Sequence, residues 1–306
     1  MRAVQIEKFG GPEELRFVET DTPEPGPGQV RIAVRACGTN PADWAVREGM
    51  LGGPLPQGTG FEVAGVVDAL GAGVEGVSVG DRVFGNVRFG TRTSGAAEYT
   101  VLDHWSFVPG SLSFAQAAAI SMAGETAVRA LDEVGVTGGQ TVFINGASGA
   151  VGQLATQVAV QRGARVIGTS GAAKAARMRE LGAEVVAHGD GLEERVRELA
   201  PQGVDRVVDI GPGGQLPLLI SLAGGDTSHV VTVTDFQNAD TYGVRASGRE
   251  NTVFRYDALQ PLADDIAAGR ISFPVWRVEP WEKIAEVQET IRSGRSEGKT
   301  VLRVSE

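Results

Sequence analysis

The sequence predicts an α/β chain of two domains, one a doubly wound parallel sheet and the other a β-rich body. Three observations predict it. Strand-like and helix-like segments alternate between residues 113 and 256. Short β-like segments broken by Pro and Gly fill the chain up to about residue 110. At 306 residues the chain is also longer than a typical single domain.

In order along the chain, VRIAVRACG (30–38), EVAGVVDALG (62–71), DRVFGNV (81–87) and AAEYTVLD (96–103) read as strands, separated by the turn chemistry of PEPGPG and GVEGVSVGD. Asn40-Pro41-Ala42-Asp43 reads as a helix start, with Asn as N-cap, Pro at the first helical position and an acid in the first turn, which gives Asp43 a structural role. FAQAAAISMAGETAVRALDEVG has helical spacing. TVFIN, ARVIGT, EVVAH, DRVVDIG and HVVTVTD follow as strands with helical segments between them, and TVFRY (252–256) is expected as the sixth and last strand of that sheet. A helix (258–268), a strand SFPVWRVEP, the amphipathic WEKIAEVQETIRSG and a strand KTVLRV remain. This tail is expected to return to the first domain, giving 1–115 with 257–306 as one body and 116–256 as the other. Lys299, just ahead of KTVLRV's apolar core, reads as a surface lysine.

Residues 141–152 read TVFINGASGAVG, with glycines at 146, 149 and 152. In a strand-to-helix turn, Gly146 permits the tight bend, Gly149 lets backbone approach a pyrophosphate, and Gly152 allows close helix–strand packing. Ala147, Ser148, Ala150 and Val151 complete the turn and would offer backbone or hydroxyl contacts to phosphate oxygens, favoured by the helix dipole. The βαβ context makes this a dinucleotide-binding turn. An NAD site places an acid about 20 residues on, at the ribose 2′-hydroxyl. Here GTSGAAKAARMRELGA has no acid between Gly168 and Arg179 and offers Ser170 and Lys174, with Arg177 a turn further. A hydroxyl and an ammonium suit a 2′-phosphate, so the expected cofactor is NADP.

The formal net charge is −10, and no dense Lys/Arg block interrupts it, which disfavours nucleic acid and anionic membranes as partners. No apolar run is long enough to span a bilayer, and MRAVQIEKFGGPEEL has no signal-peptide pattern. The single cysteine, Cys37, agrees with a reducing compartment, and the expected location is cytoplasmic. No Ser-His-Asp or Cys-His arrangement suggests hydrolysis or acyl transfer.

The opening MRAVQIEKFGGPEELRFVE, CGTNPADWAVREG, GTGFEVAGVVDALGAGV, GDRVFG, AEYTVL, GETAVRAL, NGASGAVG and GKTVLRV occur in an order that resembles the medium-chain dehydrogenase/reductase superfamily, and within it the zinc-free quinone oxidoreductase (zeta-crystallin-like) branch. The resemblance covers nearly the whole chain. It implies a Rossmann-type nucleotide domain, a β-rich GroES-like domain and hydride transfer from NADPH to a quinone or other conjugated carbonyl. It places Asn40 beside the nicotinamide as a donor to a substrate carbonyl, and Thr126 facing the nicotinamide ring. Asn40 and Phe61 stand where zinc-dependent members carry ligands, and one cysteine rules out their structural zinc lobe, so no metal is expected. Tyrosines of the branch are replaced by Ala45 and Leu51, so Trp44, Met50 and Leu51 are expected to give an apolar pocket without a tyrosine acid. Relatives suggest a homodimer joined near 252–256. An enone or enoyl-thioester reductase on the same frame is the alternative enzyme. An NADPH-binding sensor or structural protein is the alternative of another class.

Overall fold

The computed structural model describes residues 1–249 and 251–305; Glu250 and Glu306 lie outside the described residues. β1 (Arg2–Ile6) and β2 (Arg16–Glu19) form an antiparallel hairpin. In β3 (Val30–Gly38), Val30, Ile32 and Val34 are buried with half-buried residues between them, as expected of a strand with one face on a core. Its last three residues are buried throughout. Then come α1 (Pro41–Arg47), β4 (Gln57–Gly58), β5 (Glu62–Leu70), β6 (Arg82–Asn86), β7 (Tyr99–Leu102), β8 (Ser106–Phe107) and α2 (Phe114–Ala118). The helical stretch from residue 114 is two helices. A Ser113–Gln116 capping box starts α2, and α3 (Ser121–Glu133) begins afresh beyond it.

The strand–helix alternation follows, with β9 (Thr141–Asn145), α4 (Ala150–Gln161), β10 (Arg165–Thr169), α5 (Ala172–Glu180) and β11 (Ala183–Val186) as its first half. The second half is α6 (Leu192–Leu199), β12 (Arg206–Asp209), α7 (Leu216–Leu222), β13 (Val230–Thr232), α8 (Phe236–Tyr242) and β14 (Arg245–Ala246). All pairings are parallel, in the order β11-β10-β9-β12-β13-β14. This is a Rossmann sheet, whose ligand crevice lies where strand order reverses, between β9 and its neighbours. β9 is buried along four of its five residues, because helices cover both faces of a parallel sheet. One strand is corrected. The sixth is β14, at Arg245–Ala246, whereas 252–255 is irregular and Tyr256–Ala258 a 3₁₀ turn. TVFRY has strand-like composition, but β14 already fills the place beside β13.

The chain then adds α9 (Leu259–Ala267), β15 (Val275–Pro280), α10 (Ile284–Arg292) and β16 (Lys299–Arg303) to the β-rich body. Its large sheet runs β15-β16-β3-β5-β6-β8, with β7 also paired to β3, and a three-stranded sheet runs β2-β1-β4. Two units result: Met1–Met122 with Leu259–Arg270 and Pro274–Glu306, and Ala123–Ala258 with Ile271–Phe273. In the first, Val30, Ile32, Val34, Val63, Val67 and Leu302 share a core, each such side chain contributing about 1.5–3 kcal/mol on burial. Register matters most here. Gly38 faces Glu62 on one side and Val301 on the other, so the ends of β3, β5 and β16 meet in one row.

Candidate functional site

In the second unit, Gly146 has φ +83° and its amide donates to Thr169 Oγ1 at 2.7 Å. A Cβ there would press on the Gly211 amide at 2.8 Å, so only glycine passes. Gly152 is tighter still, since a Cβ would run into the carbonyl oxygens of Gly146 and Ala147. Its role is close packing against the turn itself and not against a strand. Gly149 differs. It is the N-cap of α4 in extended conformation, and a Cβ would meet only Gly146 O, at 3.4 Å. The space above it is open to a ligand. No side chain caps α4, so the amides of Ala150, Val151 and Gly152 have no intrahelical acceptor. Ser148 is half-buried at this tip, and Ala147 is buried beneath it. Bare amides, a helix N-terminus and room for backbone approach fit a pyrophosphate.

A buried polar network holds the turn from below. Asp209 accepts from Asn145 Nδ2 and Thr232 Oγ1, both at 2.8 Å, and Thr169 Oγ1 donates to Asn145 Oδ1 at 3.2 Å. Burial pushes the Asp209 carboxyl above its ordinary value, opposed by its Asn145, Thr232 and Gly211 hydrogen bonds. At the end of β10, Ser170 is buried with its hydroxyl donating to Gly171 O at 3.0 Å, and Lys174 lies half-buried in the first turn of α5. Arg177 is committed to Glu180 and Ser272. No acid stands between Gly168 and Arg179, so this end presents hydroxyl, ammonium and helix amides where a 2′-hydroxyl reader would carry a carboxylate.

In the first unit the β3–β5–β16 register assembles a cluster around Asn40. Asn40 begins α1, and the Asp43 carboxylate accepts from its amide at 2.6 Å and from the Gly60 amide at 3.0 Å. The Asn40 side chain faces two charges. Its Nδ2 donates to Glu62 Oε1 at 2.8 Å, and Lys299 Nζ donates to its Oδ1 at 2.6 Å. Lys299 also forms an ion pair with Glu62, whose second oxygen accepts from the Met122 amide at 2.9 Å. Glu62 is fully buried, Lys299 4% exposed and Asn40 7% exposed. Lys299 is therefore corrected from a surface residue to a buried one; its partners lie more than 200 positions away, beyond any local pattern. Burial pushes the Asp43 carboxyl up to about 7, with Glu62 adding to it, while the Asn40 and Gly60 amides and Lys299 pull it down. Burial likewise pushes the Cys37 thiol up, with Asp43 and Glu62 adding and Lys299 opposing.

Other expected site residues are less drawn together. Trp44 is half-buried on α1, and its indole Nε1 is enclosed with no acceptor among the described residues, so it brings a polar donor as well as an apolar ring. Met50 and Leu51 are 66% and 51% exposed. Phe61 is fully buried and stacks on the half-exposed Phe89, ring centroids 4.1 Å apart. In the second unit, Thr126 on α3 is half-buried and its hydroxyl accepts from Arg129 at 3.4 Å. Beside it the buried Glu125–Arg129 pair, which sequence pattern did not single out, binds the Arg255 amide and Ser247. Among the described residues no three His, Cys, Asp or Glu side chains converge as metal ligands, and no helix is long and apolar enough to cross a membrane.

Residues 26–120 match the family model described as alcohol dehydrogenase GroES-like domain, and residues 150–232 the one described as zinc-binding dehydrogenase. A quinone oxidoreductase from Homo sapiens is 32% identical over 323 aligned residues, covering 99% of this chain and 97% of the relative. The quinone oxidoreductase structure from Coxiella burnetii superimposes with TM-score 0.86 at 30% identity, covering 100% of this chain and 99% of that one. A mycobacterial protein complexed with NADPH does so with TM-score 0.81 at 27% identity, covering 99% and 100%.

Proposed function

Because the chain belongs to the medium-chain dehydrogenase/reductase superfamily, in its quinone oxidoreductase (zeta-crystallin-like) branch, and is an oxidoreductase, we propose that it reduces a quinone or other conjugated carbonyl with NADPH and without zinc. The observation that carries the cofactor choice is the end of β10, where Ser170 and Lys174 stand and no acid does. The Gly146–Gly152 turn and the first amides of α4 would hold the pyrophosphate, and Ser170 with Lys174 the 2′-phosphate. Bound NADPH supplies the hydride.

Asn40 offers the remaining hydrogen of its Nδ2 to the acceptor oxygen, which gains negative charge as reduction proceeds. Trp44, Met50 and Leu51 line the acceptor pocket, Thr126 lies against the nicotinamide, and solvent supplies the proton. Independence from zinc is supported by the amide at Asn40 and the phenyl ring at Phe61, neither of which is a zinc ligand. The buried cation of this cluster is Lys299. Conjugated, already polarised carbonyls suit a site without a Lewis acid better than simple ketones do. A cytoplasmic homodimer joined through the sheet edge at β14 completes the reading.

The test is NADPH oxidation with 1,4-benzoquinone and, in parallel, a simple enone, with NADH as control and with chelator added. Quinone turnover preferring NADPH and indifferent to chelator is expected. Enone turnover exceeding quinone would replace the reading by olefin reduction. Tight NADPH binding with no turnover would make this a sensor or structural protein.

A further inference from the structure

Resting on the reading of Asn40 as donor to the acceptor oxygen, we propose that Lys299 and Glu62 are positioning residues that lock the Asn40 amide in its donating orientation. A side-chain amide has a donor end and an acceptor end of nearly the same shape, and only its partners decide which end points where. Here the partners leave one answer. An ammonium only donates and faces Oδ1 at 2.6 Å; a carboxylate only accepts and faces Nδ2 at 2.8 Å. Flipping the amide would set N–H against ammonium and oxygen against carboxylate, opposed at both ends. With Oδ1 on Lys299 and one Nδ2 hydrogen on Glu62, the second Nδ2 hydrogen remains.

The surroundings are built for this lock. The Asn40 backbone is held by Asp43, and the far oxygen of Glu62 by the Met122 amide. Gly38 carries no side chain where a Cβ would run into Glu62 and meet Ala118 O at 2.5 Å. Burying two charges costs more than burying an apolar pair of the same size, so stability alone gives no reason to keep them. A locked donor favours an oxygen that accepts and gains charge, as a carbonyl does on reduction. Lys299 and Glu62 touch no substrate in this scheme and act through Asn40.

A double-mutant cycle tests it on the full chain, reading quinone kcat and KM, NADPH affinity and Tm. Lys299→Met should lower kcat by about tenfold to a hundredfold, the scale of a misplaced reacting group, and leave NADPH affinity unchanged. In an Asn40→Ala background the same change should cost less than about twofold more, because its target is gone. Glu62→Gln combined with Lys299→Met removes the stranded charge and should restore Tm without restoring kcat. Lys299→Arg should retain more kcat than Lys299→Met. Additive losses in the cycle, or kcat returning together with Tm in the combined variant, would overturn the inference alone. Asn40→Ala working at the wild-type rate would instead sink the role given to Asn40, and this inference with it.

Discussion

The glycine turn of the nucleotide unit is made by leaving side chains out, whereas the Asn40 cluster of the β-rich unit is made by putting charges in. At Gly146 and Gly152 any Cβ would collide with backbone, and the working groups are amides left bare at the start of α4. Around Asn40 one side-chain amide lies between the Lys299 ammonium and the Glu62 carboxylate, with Asp43 on the Asn40 backbone and the Met122 N–H on Glu62, nearly all withdrawn from water. The first device admits no side chain at Gly146 or Gly152 and is read by shape. The second depends on particular functional groups and is read by charge.

Gly149→Val probes the first device hardest, because only approach from outside is blocked: φ is −75° and the nearest atom to a new Cβ is 3.4 Å away. NADPH affinity should fall about a hundredfold, equivalent to about 2.7 kcal/mol, with Tm nearly unchanged in thermal unfolding. A large drop in Tm at intact affinity would show that the glycine serves packing and not phosphate. Lys174→Ala should weaken NADPH by about 1.5–3 kcal/mol and NADH much less, by titration of each. Equal losses for both would remove the 2′-phosphate from that site.

The charged device is probed through Asp43. Asp43 has its folded pKa raised to about 7, above its usual range, so it holds its proton more tightly folded than unfolded. Its contribution to stability is full below about pH 4 and is lost as pH rises through about 7. Asp43→Asn should lower stability at pH 4–5, since one amide loses its acceptor, and flatten the decline between pH 4 and 7 in denaturant titrations. An unchanged slope would mean that Asp43 is ionised throughout that range.

The same contrast explains what the sequence made legible. The glycine turn is local: twelve consecutive residues carry the strand, the spacing and the helix start, and the strands around it alternate at readable periods. The lock on Asn40 is not. Lys299 opens a strand buried at four of its five positions, and its partners are set by β16–β3 and β3–β5 register that no local spacing encodes. TVFRY misled for a related reason, since composition alone makes a strand-like segment while the sheet edge was already taken by β14. Trp44 was legible as a ring and not as a donor, because its unpaired indole N–H emerges only from its packing.

The 259-residue separation between Asn40 and Lys299 also governs the order in which a newly made chain can mature. The segment out to Met122, which carries Asn40 and Glu62, leaves the ribosome before the counter-ion of Glu62 has been made. At synthesis rates of about 5–20 residues per second, that carboxylate waits on the order of tens of seconds for β16 to arrive. The nucleotide unit, continuous from Ala123 to Ala258 apart from three residues, is free to fold during that interval. Birth of the β-rich body is thus a two-visit event, and its polar heart closes last.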